Sequence, residues 1–107
     1  MIRRTVGRVT IEIPDSFEHD GELISLSQSS IVAITDDDGD AVGFELSYEI
    51  PGGGTIVNGI YEEYGDVVVL EGPLNEPEEY EHPDDAPYDT LFLPPEEFID
   101  QISIYKN

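Results

Sequence analysis

Carboxylates are the only reactive side chains this chain holds in number. There are 25 Asp and Glu, two His, and no Cys, so disulfides, zinc–thiolate sites and cysteine nucleophiles are excluded together. The first chemistry to weigh is calcium binding by the turn DDDGD at residues 36–40. An EF-hand loop needs carboxylates at its first, third and fifth places, glycine at the sixth and glutamate at the twelfth. Starting from Asp36, the sixth place is Ala41 and the twelfth is Ser47, so the register fails. Paired carboxylates could also serve a glycosidase or a metal-dependent nuclease. With acids this dense, however, adjacency in sequence selects no pair. His19 and His82 sit among acids in DSFEHDG and EYEHPDD, which reads as solvated loop histidines offsetting local charge. No serine partner or oxyanion arrangement accompanies either one. PGGG at 51–54 has no lysine after it, and an anionic domain is a poor phosphate cradle. The expectation is a protein without catalysis, cofactor or specific metal.

What remains is charge as such. The formal net charge is -21, and the four basic residues are Arg3, Arg4, Arg8 and Lys106, leaving none between Val9 and Tyr105. Soluble domains usually carry net charges of roughly 2–8 with both signs interspersed. Self-repulsion of this size destabilises a compact state, so a compensating gain is expected. The acids cluster. Asp36, Asp37, Asp38 and Asp40 fill one turn, Glu62 and Glu63 begin another, and the run NEPEEYEHPDDAPYD at 75–89 holds Glu76, Glu78, Glu79, Glu81, Asp84, Asp85 and Asp89. Tyrosines are interleaved: Tyr61 and Tyr64 in IYEEYGD, Tyr80 and Tyr88 in the proline-rich run. Tyrosine flanked by acids suits an interface with arginine-rich surfaces, through hydrogen bonds and cation–π contact.

B-form duplex carries one charge per ~1.7 Å of axis, so -21 matches roughly ten base pairs, about one helical turn. Alternate side chains on a strand lie about 7 Å apart on one face and can hold carboxylates in rows. In composition the whole chain is similar to the DNA-mimic inhibitors, small acidic proteins with which bacteriophages block restriction enzymes or CRISPR effector complexes. That resemblance implies a stoichiometric, steric inhibitor of a basic nucleic-acid-binding protein or complex. The thirteen carboxylates of the three clusters would contact arginines and lysines, and Tyr80 and Tyr88 would fix register. Two other readings compete. One is an immunity protein plugging a basic toxin nuclease. The other is a housekeeping domain acidic through adaptation to salt, against which stand the many isoleucines and only three alanines, Ala33, Ala41 and Ala86. Direct contact with nucleic acid or an anionic membrane is disfavoured by repulsion.

The elements that must position these charges are strands. At 107 residues the chain reads as a single acidic β-rich domain over 1–107, with an extended acidic, proline-rich loop at 73–90. TVGRVTIEI (5–13), ELISL (22–26), SIVAIT (30–35), AVGFELSYEI (41–50), TIVNGIYEE (55–63) and DVVVLEG (66–72) predict about six strands. In the fourth, Val42, Phe44, Leu46, Tyr48 and Ile50 form one alternating face. DSFEHDG reads as a polar connection, and LFL (91–93) as a short edge strand. Pro94-Pro95 followed by EEFIDQI predicts a helix near 95–103, although ISIY could finish as a strand. The fold class expected is mainly β: an antiparallel sheet or small barrel of about six strands with one short C-terminal helix. No stretch approaches the ~20 apolar residues of a membrane span. The N-terminus lacks a signal-peptide h-region, so a cytoplasmic protein is expected, in the host cell if phage-encoded.

Overall fold

The computed structural model describes residues 1–51, 54–74 and 92–106. These residues are mainly β, in antiparallel sheets, with one short helix near the C-terminus. Among the described residues nine strands form where about six are expected, and they make three sheets without closing a barrel. The two extra hairpins lie in the first 25 residues. The stretch read as one strand over 5–13 is β1 (Ile2–Val6) and β2 (Val9–Ile13), folded back at Gly7, whose φ is +60°. Glycine takes that conformation without a Cβ penalty, so a turn fits inside an otherwise apolar run. The stretch read as a polar connection is another hairpin, β3 (Ser16–His19) and β4 (Glu22–Ser25), turned by Asp20 and Gly21 at positive φ. Asp-Gly is the usual pair for such two-residue turns.

A four-stranded meander follows: β5 (Ser30–Thr35), β6 (Ala41–Glu49), β7 (Thr55–Glu63) and β8 (Asp66–Val69), in that spatial order. Helix α1 (Glu96–Ile99) is a single turn, shorter than predicted, with Glu96 and Glu97 at its start. The chain then extends as β9 (Ser103–Lys106), which pairs with β2 to make the sheet β1-β2-β9. Phe92 and Leu93 form no strand, although the Phe92 N–H donates to the Glu71 carbonyl.

All three sheets feed one core. Ile11 and Ile13 of β2 meet Phe17, Ile24 and Leu26 around the β3–β4 hairpin, Phe44, Leu46 and Tyr48 of β6, Ile56 and Ile60 of β7, and Phe98 of α1. Phe17 is the hub of an aromatic group, 4.7 Å from Phe98 and 5.9 Å edge-on to Tyr48. Val42 departs from the face predicted for it and is exposed. The register steps from Ile34↔Gly43 to Thr35↔Ala41, so Val42 is an extra residue in the ladder and its side chain leaves the core face.

Two glycines admit the chain to the far side of the meander. Gly59 donates to the Gly72 carbonyl at 2.7 Å and accepts from the Leu70 N–H at 2.8 Å, so residues 70–72 prolong the edge beside β7. Leu74 then lies across Gly43 and Gly59, and a Cβ at Gly59 would stand 2.6 Å from the Leu74 nitrogen. Only glycine permits this approach.

One buried polar group ties these pieces together. Asn58, fully buried on the core face of β7, donates from Nδ2 to the carbonyls of Leu70 and Phe92, both at 2.7 Å. Its Oδ1 accepts from the Tyr48 hydroxyl at 2.6 Å. Every polar atom of the amide is thus engaged, as burial demands. Burial also pushes the Tyr48 phenol well above its ordinary value of about 10. An unfolded Tyr48 loses its proton above about pH 10 while the folded one keeps it, so alkali favours unfolding. This stability is present in full below about pH 10 and should fall by about 1.4 kcal/mol per pH unit above it. Denaturant titrations between about pH 9 and 11 check this, and Tyr48→Phe should flatten the slope.

Candidate acidic interface

The meander brings two of the three predicted clusters together. In β5-β6-β7-β8, the β5–β6 and β7–β8 turns must lie at the same end, with Pro51 and Gly54 at the other. Asp36, Asp37, Asp38 and Asp40 occupy the first turn, and Glu62, Glu63 and Asp66 flank the second. With neighbouring strands ~4.8 Å apart, the two turns sit two spacings, or about 10 Å, from each other. Glu76, Glu78, Glu79, Glu81, Asp84, Asp85, Asp89, Tyr80 and Tyr88 lie outside the described residues.

Each turn is built locally. The Asp36 carboxylate accepts the N–H groups of Asp38 and Asp40 through Oδ1, both at 3.0 Å, and Gly39 takes φ +84°. Asp36 therefore organises the turn, an Asx arrangement that leaves Asp37, Asp38 and Asp40 facing solvent. In the second turn Tyr64 and Gly65 both have positive φ, at 51° and 85°. That geometry suits Asn or Gly, and a bulky aromatic there is uncommon. Tyr64 is 98% exposed, between Glu63 and Asp66. It belongs to this site more firmly than its sequence context indicates. The available signal was the Gly after it, which marks a two-residue turn and puts the preceding side chain at the tip.

Counter-charge is sparse. Lys106 Nζ stands 3.6 Å from Glu62, and Tyr61 donates weakly to Glu63 at 3.4 Å. Among the described residues the only other contacts of carboxylates with cationic groups are Arg3–Glu12 and the N-terminus with Asp15, while the His19 imidazole lies 3.3 Å from Asp20. Exposed pairs of this kind are worth about 0–1 kcal/mol and yield readily to a competitor. Among the described residues no three carboxylates or imidazoles converge on a point where a metal ion could sit. His19 instead packs edge-on against Phe92, at 4.7 Å.

The opposite end differs in character. There a groove of about 680 Å³ runs between the 25–30 segment and the ends of β6 and β7, lined by Ser25, Ser27, Ser29, Ser30 and Ser47, with Glu49 its one charged side chain. The acids are thus unevenly placed, and screening should matter. Adding about 0.5 M NaCl, or a few millimolar magnesium, is expected to raise Tm by roughly 5–10 °C, read by calorimetry. An unchanged Tm would mean that the carboxylates scarcely repel one another.

No helix among the described residues is long and apolar enough to cross a membrane. Comparison with protein-family models, curated proteins and solved structures finds no match for the chain.

Proposed function

We propose that this protein is a non-enzymatic inhibitor that mimics nucleic acid and occupies the basic groove of a nucleic-acid-binding protein or complex, in the manner of anti-restriction or anti-CRISPR proteins. The observation that carries this reading is the pair of carboxylate-bearing turns about 10 Å apart at one end of the meander. That spacing is of the same order as the ~6 Å and ~12 Å groove widths of a duplex and equals neither, so the support lies in the density of carboxylates at this end and not in a match to the two phosphate rows. The molecule measures 38 × 35 × 24 Å, so its two larger dimensions are each close to one duplex turn, about 34–36 Å. Further carboxylates, among them Glu18, Glu22, Glu45, Glu71 and Glu97, lie along all parts of the chain beyond those turns. In this mechanism charge steers encounter with a basic groove and displaced counterions add affinity. Tyr64, almost fully exposed, stacks on an arginine.

The concentration of acids at one end also favours a second reading, an immunity protein that plugs the single basic active site of a toxin nuclease. One experiment separates the two. The protein is immobilised, cell lysate is passed over it, and bound material is eluted with a salt gradient, with and without duplex DNA. A nucleic-acid-binding complex that DNA competes off supports the mimic. A single nuclease held past the salt at which other basic proteins leave supports immunity. A smear of basic proteins released at low salt defeats both and returns the acids to a salt-adapted surface.

A further inference from the structure

Residues 23–35, LISLSQSSIVAIT, contain no charged side chain, the longest such run in a chain of net charge -21. The run forms β4 after its first residue, the following turn and all of β5. Strand β5 is the outer strand of the meander, paired among the described residues only with β6. Outer strands are usually protected from pairing with other chains by charge or proline. Here β1 carries Arg3 and Arg4, β3 Glu18, β4 Glu22, β8 Asp66 and β9 Lys106, whereas β5 carries neither device. Val32 on β5 is half exposed, at 52%.

We infer that β5 pairs with β5 of a second copy, antiparallel about a two-fold axis at Val32. The hydrogen-bond alternation permits this register, and the axis at Val32 is the one that joins the half-exposed valines. The Asp36 N–H donates to Asp40, and the Gly59 bonds run toward β8, which together place the β6-directed groups of β5 at Ser30, Val32 and Ile34. The N–H and C=O of Ile31 and Ala33 then point outward. A two-fold at Val32 sets Ile31 against Ala33 of the other copy, where each pair exchanges two hydrogen bonds, and brings the two Val32 side chains together. The register also sets Asp36 of each copy opposite Gln28 of the other, so no carboxylate meets a carboxylate at the seam. A second copy supplies a strand equally free of charge and of proline, so the edge meets no carboxylate. The result is an eight-stranded sheet with an acidic end on each side of the axis.

Like bodies of this charge repel at long range, so the dimer should tighten several-fold as NaCl rises from about 0.1 to about 0.5 M. Binding to a basic partner weakens over the same range. Sedimentation velocity on the full chain at about 100 μM tests this. A dimer is expected, and Val32→Glu, which puts two carboxylates against each other at an exposed position, should weaken it about tenfold or more. Ala33→Pro removes an outward N–H and should do the same, while Val32→Thr should leave the dimer intact. A monomer at every salt concentration overturns the inference, as does a dimer indifferent to Val32→Glu and Ala33→Pro. If those variants leave sedimentation unchanged but weaken retention of a lysate partner, the strand serves that partner and self-pairing is wrong. Because dimerisation is measured without any partner, it can fail while the inhibitor reading stands, and the reverse.

Discussion

Replacing Asn58 with alanine is expected to destabilise the protein by roughly 3–6 kcal/mol and leave much of it unfolded at ambient temperature. The substitution strips partners from three groups at once: the part-buried carbonyls of Leu70 and Phe92 and the buried hydroxyl of Tyr48. Each orphaned group costs about 1–3 kcal/mol, and a domain of this size has only about 5–15 kcal/mol in total. Asn58→Asp is the sharper variant. It keeps the shape but turns the donor into an oxygen facing two carbonyl oxygens, and it buries a charge, so it should be at least as damaging. Tyr48→Phe loses one bond and should cost only about 1–2 kcal/mol. Urea titrations of the three variants give the ranking, and a mild Asn58→Ala would mean that water replaces the amide. Leu70 and Phe92 lie on either side of residues 75–91 in sequence, so the same amide ties together the two segments between which the most acidic run falls.

The second large effect concerns recognition. Asp37→Asn, Asp38→Asn, Asp40→Asn and Glu63→Gln combined should lower affinity for a basic partner by about 10²–10³-fold at ~0.1 M salt. The slope of log K against log salt should shrink by about one for each ion pair that the neutral side chains no longer make. The same four changes should raise Tm, because they remove repulsion. Asp36 is kept because its carboxylate holds the turn. Tyr64→Asn gives a matched sign test. Asparagine accepts the left-handed backbone better than tyrosine, so stability should rise by up to about 1 kcal/mol, while loss of the exposed ring should weaken binding about tenfold. Affinity and Tm measured on the same samples decide it: were affinity unchanged in both variants, this end of the meander would not be the contact surface.

Much of the meander was legible because β6 alternates, β5 and β7 are rich in β-branched residues, and strong turn sequences separate them. SIVAIT and TIVNGIYEE match β5 and β7 residue for residue. The early hairpins were hidden for opposite reasons. Gly7-Arg8 interrupts an apolar run that is long enough to pass for one strand. Phe17 is one apolar residue among Ser, Glu, His and Asp, and its place at the centre of the aromatic group depends on Tyr48 and Phe98 arriving from far along the chain. Composition identified the acidic turns, but only strand order shows that Asp36–Asp40 and Glu62–Glu63 share an end. The exposure of Tyr64 and the structural duty of Asp36 are matters of backbone angle and hydrogen bonding, which residue type alone does not convey.

The pairing of β2 with β9 has a kinetic consequence. Residues 9–12 pair locally with β1, but their second edge stays open until residues 103–106 have been synthesised, so on the ribosome the β1-β2-β9 sheet must wait for its third strand. Closing so long a loop is entropically slow, and a polyanionic chain swells, which holds its two ends further apart. The four cations lie on the β1-β2-β9 sheet or its turn, three of them near one end of the chain and Lys106 near the other. The intervening chain that must be gathered in carries essentially one sign. Ionic strength therefore acts on the search as well as on the finished fold, and the refolding rate becomes a reading of how compact the unfolded polyanion is.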